Sequence, residues 1–324
     1  MLKIALLGAG NMGRTHLECY LRNEHCRVEY IFDKNIDKAR SLTGDTGIKV
    51  TEDIDDFLGR GIDAVDICLP TFLHKEYALL AAQAGKHILC EKPMALSTEE
   101  CDAMIKETNR HGVKYMTAHV LRFWPEYRHM KYAVESMELG RPVCAAGGRA
   151  QPPASWSESN WLLDPSLSLG GVADFQIHDL DFISWVFGKP ASIISTGSKS
   201  RSGAWEQIFT ILEFDSGFNC CLEACNLMPK GYPFTASMKL LFTEGCIEYD
   251  SGLPEKLKVY RPGEKPYHPQ IENADAYCSE INYFIDCVLS DREIEIIRPE
   301  DAKSSLYLAL KSKESLESGK KLIL

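Results

Sequence analysis

The chain has 324 residues, 45% of them hydrophobic and 25% charged, with a formal net charge of -10. That length suits two domains better than one small core. The acidic balance disfavours nonspecific nucleic-acid or anionic-membrane partners, and no run approaches the roughly 18–20 apolar residues that cross a bilayer.

The opening run MLKIALLGAG passes straight into a glycine-rich turn, without the small-residue cleavage site of a signal peptide. Residues 3–7 (KIALL) predict a buried strand. They lead into Gly8-Ala9-Gly10-Asn11-Met12-Gly13, which fits G-x-G-x-x-G, and the following RTHLECYLRN has helix composition. A second strand, 28–32 (VEYIF), ends at Asp33, 20 residues after Gly13. The glycines alone are a weak signal. Placed between strand and helix, with an acid at the tip of the next strand, they predict a dinucleotide site. Gly8 permits the tight turn, Gly10 lets the backbone approach a pyrophosphate, and Gly13 lets the helix pack on the strand. Asn11 and Met12 open the helix, whose N–H groups and positive dipole end suit phosphate. Asp33 can accept from both ribose hydroxyls and repels a 2′-phosphate, and Lys34-Asn35 supply no arginine. NAD is therefore the expected cofactor, with NADP as the alternative.

A third strand, 64–69 (AVDICL), leads to a loop at 70–74 that carries Pro70, Thr71 and His74. A helix follows over 77–85, with Gly85 as its C-cap. Strand 87–90 (HILC) stops at Glu91-Lys92-Pro93. Ser97-Thr98-Glu99-Glu100 opens a helix with capping-box spacing, and 114–118 (KYMTA) is a further strand. This alternation predicts an α/β fold, a doubly wound parallel sheet that binds ligands outside its carboxyl strand ends. The turn 8–13, Asp33, Leu69, Pro70, Thr71, His74, Glu91, Lys92 and His119 all fall at such ends, and all but His119 are expected to hold the cofactor.

Beyond residue 150 the loop QPPASWSESNWLL offers Trp156 and Trp161, either to stack on the apolar face of a ligand ring or to fill the gap beneath the loop. Residues 170–182 read GGVADFQIHDLDF. Taken as one helix, they project Asp174, His178 and Asp181 from a single face, while Asp179 lies off that stripe and is expected to be structural. Such a stripe is by itself as readily a solvated face as a site. Strands are then expected at 192–198, 207–214, 219–224, 237–242 and 246–249, with a hairpin turn at 214–218.

Twelve cysteines are scattered, without a CxxC. Cys68, Cys90, Cys144 and Cys246 lie in apolar runs, where a thiol behaves as a small hydrophobe. Cys220, Cys221 and Cys225 cluster with no histidine nearby, so no metal site is expected. The cysteines are read as thiols of a reducing, cytoplasmic compartment.

At Glu91-Lys92-Pro93 a resemblance to a known family becomes specific. The Rossmann turn, the run PTFLHKEYALLAAQAGKHILCEKP, the junction Arg122-Phe123-Trp124-Pro125, the later GG…D…H…D segment, and the closing stretches ADAYCSEINYFIDCVL and RPEDAKSSLYLALKSKESLESGKKLIL together resemble the Gfo/Idh/MocA family of glucose–fructose oxidoreductases and inositol dehydrogenases. The resemblance spans essentially the whole chain. It implies an NAD-binding Rossmann domain over 1–120. A substrate-binding and oligomerisation domain over 121–324 follows, built on a large open, mostly antiparallel sheet whose outer face makes a homodimer or homotetramer. It implies that Lys92 hydrogen-bonds the reacting hydroxyl beside the nicotinamide, with a cis peptide before Pro93. His178 is then the general base, and Asp174 orients it or binds a neighbouring hydroxyl. Asp181 either touches substrate or ties its helix to the sheet, and Arg122 binds substrate or bridges the domains. His119, Trp161 and Tyr232 are further substrate-contact expectations. Val172 stands where many members carry a third glycine. The implied activity is an NAD(P)-dependent dehydrogenase acting on a ring secondary alcohol of a sugar, cyclitol or related polyol. The alternatives are a redox-assisted glycosidase or eliminase that keeps NAD tightly bound, and a non-enzymatic dinucleotide-binding regulator.

Overall fold

The computed structural model describes residues 1–59, 61–154 and 157–324. The first part of the chain alternates strand and helix: β1 (Leu2–Leu7), α1 (Asn11–Tyr20), β2 (Cys26–Phe32), α2 (Ile36–Thr43), β3 (Lys49–Thr51), α3 (Ile54–Leu58), β4 (Ala64–Ile67), α4 (Thr71–Gln83), β5 (His87–Glu91), α5 (Thr98–His111) and β6 (Tyr115–Ala118). Among the described residues these six strands form a parallel sheet in the order β3-β2-β1-β4-β5-β6. Its central strands are covered on both faces, so Ile4, Leu6, Leu7, Val65 and Ile67 are all buried and the sequence runs apolar instead of alternating.

One local expectation is corrected. Residues 71–74 are not loop: α4 starts at Thr71 with Pro70 before it at φ -57. Proline is preset for a helix start, where no N–H partner is needed. At α5 the expected N-cap is in place: Ser97 accepts from the Glu100 N–H at 3.2 Å, while the Glu100 carboxylate reaches one residue past Ser97 to the Leu96 N–H at 3.0 Å. Short β3 was not foreseen. Gly85 follows the C-cap residue Ala84 and takes φ +70, as a left-handed helix stop requires.

A 3-10 turn (Val120–Phe123) is followed by α6 (Pro125–Ser136), β7 (Pro142–Ala150), a second 3-10 turn (Glu158–Leu163), α7 (Pro165–Ser168), α8 (Gly171–Asp174), α9 (Ile177–Phe187), β8 (Ser192–Lys199), β9 (Trp205–Glu213), β10 (Asn219–Cys225), β11 (Thr235–Phe242), β12 (Gly245–Asp250), β13 (Leu257–Tyr260), α10 (Ala276–Leu289), α11 (Pro299–Ser318) and β14 (Leu322–Ile323). Among the described residues the second sheet has the order β13-β12-β11-β7-β10-β9-β8-β14 and is antiparallel except where β7 meets β10. One face is the core: on β9 the alternate residues Glu206, Ile208, Thr210 and Leu212 are buried. Tyr127 of α6 packs edge-on against Phe182 of α9 at 4.8 Å and Tyr249 of β12 at 5.2 Å.

The chain divides into two compact units, Met1–Phe123 with Ala274–Lys303, and Trp124–Asn273 with Ser304–Leu324. The expected division into 1–120 and 121–324 is thus not contiguous. The reason lies in α10, which packs on α1 and the first 3-10 turn and is joined to α1 by a Cys19–Cys278 disulfide. The pairing also corrects the reading of the cysteines as thiols; ten others are free. Among the described residues no helix is long and apolar enough to cross a membrane.

Candidate functional site

In the first unit the glycine turn is forced by close contacts. Gly8 takes φ +101, and a Cβ there would lie 2.4 Å from the Cys68 carbonyl oxygen. A Cβ on Gly13 would lie 1.9 Å from the Gly8 carbonyl, so α1 can rest on the strand end only with glycine at that position. Gly10 differs: a Cβ there meets nothing within 4 Å. It borders open space at the start of α1, which has no side-chain cap and no acid in its first turn. Asn11 is exposed and Met12 partly exposed beside it. Bare N–H groups at the positive end of a ten-residue helix are suited to an anion. Asp33 is buried at the end of β2 and ties the turn together: it accepts from the Ala9 and Asn35 N–H groups, each at 2.8 Å. Each oxygen keeps a second lone pair for a ribose hydroxyl. These residues fit a dinucleotide: open backbone donors for the pyrophosphate, and an acid one strand over.

The other strand ends are braced through His74. Its Nε2 lies 2.8 Å from the Leu69 carbonyl and its Nδ1 2.9 Å from the Pro93 carbonyl. Burial pushes its pKa down, against the pull of those two carbonyls. Both ring nitrogens face carbonyl oxygens, so His74 holds the loops around Leu69 and Pro93 together. Thr71 is buried beneath the start of α4, and Leu69 and Pro70 are partly exposed. The Lys92–Pro93 peptide is cis. Glu91 is buried and accepts the Lys92 N–H at 3.0 Å, and Lys92 itself is partly exposed. His119 is buried just past β6. Arg122 is 2% exposed, donates to the Ile296 carbonyl at 2.6 Å and pairs with Asp301 at 3.5 Å. It anchors the returning segment 296–301 within the first unit.

In the second unit the 170–182 segment is not one helix. It breaks between α8 and α9, where the Gln176 N–H bonds to the Gly171 carbonyl at 2.8 Å, five residues back. Asp174 ends one piece and His178 lies near the start of the next. Across 171–183 these two residues alone keep solvent access; all the others are buried. The two other acids of the segment are buried. Asp181 is 1% exposed and accepts from Ser305 Oγ of α11 at 2.7 Å. Asp179 pairs with Arg149 of β7.

The glycine pair packs on β9. Gly170 takes φ +68, and a Cβ on Gly171 would lie 3.0 Å from Glu206 Oε2. Glu206 was missed in the sequence. Asn226 Nδ2 donates to it at 2.8 Å, and Gln151 Nε2 donates to Asn226 Oδ1 at 3.0 Å. Burial, with Asp174 nearby, raises the Glu206 carboxyl to about 7 although Asn226 opposes this. The available signal was an acid at a core-facing position of an alternating strand. Phe234 packs at 6.3 Å against Phe175, the residue after Asp174, and Tyr232 stands 37% exposed on the same loop. Trp161 lies in the second 3-10 turn and is partly exposed; Trp156 lies outside the described residues.

Residues 2–119 match the model of an oxidoreductase family with an NAD-binding Rossmann fold, and 127–248 match the GFO/IDH/MocA C-terminal domain. The chain belongs to the Gfo/Idh/MocA oxidoreductase family. Like other Gfo/Idh/MocA proteins, it is an NAD-binding oxidoreductase. It is 27% identical to the scyllo-inositol 2-dehydrogenase (NAD(+)) of Bacillus subtilis, over 98% of this chain and 95% of that protein. It is also 27% identical to the myo-inositol 2-dehydrogenase of Thermotoga maritima, over 98% of this chain and 96% of that one. The fold matches that of GenD2 from gentamicin A biosynthesis, solved in complex with NAD, with a TM-score of 0.88 at 20% identity over 100% of this chain and 96% of that chain.

Proposed function

We propose that the protein oxidises a ring secondary alcohol of a cyclitol, sugar or related polyol to a ketone, and can run the reverse. Bound NAD⁺ supplies the hydride acceptor. The turn 8–13 holds the pyrophosphate on backbone donors, and Asp33 accepts from the adenosine ribose. Lys92 hydrogen-bonds the reacting hydroxyl oxygen. His178 takes the hydroxyl proton on a ring nitrogen as the C–H bond breaks, and Asp174 orients the imidazole or binds a neighbouring hydroxyl. Tyr232 and Trp161 contact the rest of the ring, through the apolar C–H faces that a cyclitol or pyranose presents to an aromatic side chain.

The observation that carries this reading is the selective exposure of Asp174 and His178 in a segment otherwise buried. A solvated helix face exposes its whole stripe, whereas this one opens an acid and an imidazole alone. The two inositol dehydrogenases of similar length support the substrate class.

The second unit also offers an oligomer surface. Ile194, Ile211, Cys221 and Ala146 stand in one cross-strand row on the face opposite the core, with Phe209 and Leu241 exposed beside it. That apolar face supports a homodimer or homotetramer built through the sheet.

The test is NADH formation across a panel of inositols, aldoses and nucleotide sugars with NAD⁺ and with NADP⁺. The reading expects NADH to accumulate on at least one cyclitol or sugar. It also expects NAD⁺ to be preferred by about 10-fold or more in kcat/KM, the worth of a charged hydrogen bond. Substrate conversion without net NADH overturns the dehydrogenase in favour of transient oxidation. Turnover with NADP⁺ only overturns the reading of Asp33.

A further inference from the structure

A closed group of polar side chains lies behind the glycine turn, inside the first unit. His16 of α1 is 0% exposed. Its Nδ1 lies 2.8 Å from Asp66 Oδ2, itself fully buried in β4. Its Nε2 lies 3.3 Å from Glu91 Oε1 at the end of β5, as a charge contact. The other Glu91 oxygen accepts the Lys92 N–H at 3.0 Å. Cys68 Sγ stands 3.4 Å from His16 Nδ1 and donates to Asp66 Oδ1 at 3.6 Å, and Tyr20 is buried beside Asp66.

We propose that His16 is a positioning residue for Lys92: clamped by Asp66, its ring holds the Glu91 carboxylate, and Glu91 in turn fixes the backbone N–H of Lys92. This rests on the reading of Lys92 as the group that meets the reacting hydroxyl. The chain of contacts supplies a physical reason for a buried carboxylate to precede the lysine. An isolated carboxylate is expensive to bury, and a cation beside it removes that cost.

The ring carries the charge. A neutral imidazole has one N–H and one lone pair, and a lone pair directed at a carboxylate is repulsive. A carboxylate hydrogen-bonded at Nδ1 and a second in charge contact at Nε2 together favour the ring that carries two N–H groups. Burial, the largest single influence, disfavours the charged ring, but Asp66 and Cys68 together outweigh it and hold His16 well above the usual histidine range. Burial likewise opposes the Glu91 charge, and His16 brings that carboxyl below its usual range. His16, Asp66 and Cys68 also have the separation of a metal site. Burial pushes the Cys68 thiol strongly up, so without a metal beside it the thiol stays protonated and donates to Asp66.

Three measurements test the proposal, two of them on protein without substrate. In the wild type at neutral pH, the ring ¹⁵N shifts of His16 should show both nitrogens protonated; a neutral tautomer overturns the proposal. In His16→Gln, exchange of the Lys92 amide should quicken by about 10-fold or more against β6 amides, as expected for local opening. Unchanged exchange in a folded variant overturns it, as does a stoichiometric metal that wild type carries and the variant loses. On a substrate found by the panel, kcat of His16→Gln should fall on the order of 10–100-fold, with KM for NAD⁺ within about two-fold. The double variant with Glu91→Gln should be no slower than Glu91→Gln alone, and additive losses overturn the proposal. A panel without turnover counts against the function reading and leaves the ring-shift and exchange results to decide this one.

Discussion

Arg149 and Asp179 form a two-point ion pair: Nε donates to Oδ2 at 2.8 Å and Nη2 to Oδ1 at 2.7 Å, with both residues buried. The Phe175 ring lies 5.7 Å from the same guanidinium. The pair fastens α9 to β7 one residue after His178, so the scaffold of the candidate base is electrostatic as well as apolar. Asp179→Ala leaves a buried guanidinium uncompensated and should cost about 3–5 kcal/mol, read by denaturant unfolding. Replacing both partners by apolar residues of similar volume should recover most of that loss. If the single variant unfolds like the wild type, the pair does not hold the helix.

The glycines of the turn separate fold from cofactor. Gly13→Ala drives a methyl into the Gly8 carbonyl and should lower the melting temperature as well as NAD affinity. Gly10→Ala meets open space at φ -73, an ordinary backbone value. It should leave the melting temperature within a few degrees and weaken NAD binding by about 10-fold or more, through the methyl that replaces backbone at the phosphates. Calorimetry of both variants reads the two effects. NAD binding unchanged in Gly10→Ala would place the pyrophosphate elsewhere.

Glu206 makes stability depend on pH. Its carboxyl stands raised to about 7, by burial first and by Asp174 second. The folded state therefore holds that proton where the unfolded chain has released it. The stabilisation is full below the unfolded value near 4.5 and is lost as pH rises to about 7. Its size is on the order of 2–3 kcal/mol. Glu206→Gln keeps a neutral group beside Asn226 and should flatten the dependence across that window. A wild-type stability curve that rises there with no change in the variant contradicts the raised value.

The parts legible in the sequence were those where one residue type answers one local demand. Gly8 and Gly13 were readable because each backbone contact admits only glycine. The strand ends of the first sheet were readable because buried parallel strands run apolar. β7 was not: PVCAAGGRA lacks the alternation of a strand. It is central, squeezed between β10 and β11, where a Cβ on Gly147 or Gly148 would lie 2.5 or 2.3 Å from a neighbouring carbonyl. Small residues fit there for a tertiary reason that no local window shows. The break between α8 and α9 follows from packing on β9, and the return of α10 to α1 depends on contacts more than 250 residues apart. His16 carried a fainter signal: with Gly13, Leu17 and Tyr20 it falls on the inward stripe of α1, where a histidine needs a partner.

Lys92 bears the central claim most directly. NADH formation by Lys92→Ala should be compared with wild type on the best substrate of the panel, with NAD binding measured alongside. The account predicts a loss of about 10²–10⁴-fold in kcat, with NAD affinity and melting temperature close to wild type. A Lys92→Ala enzyme that makes NADH at the wild-type rate would contradict it.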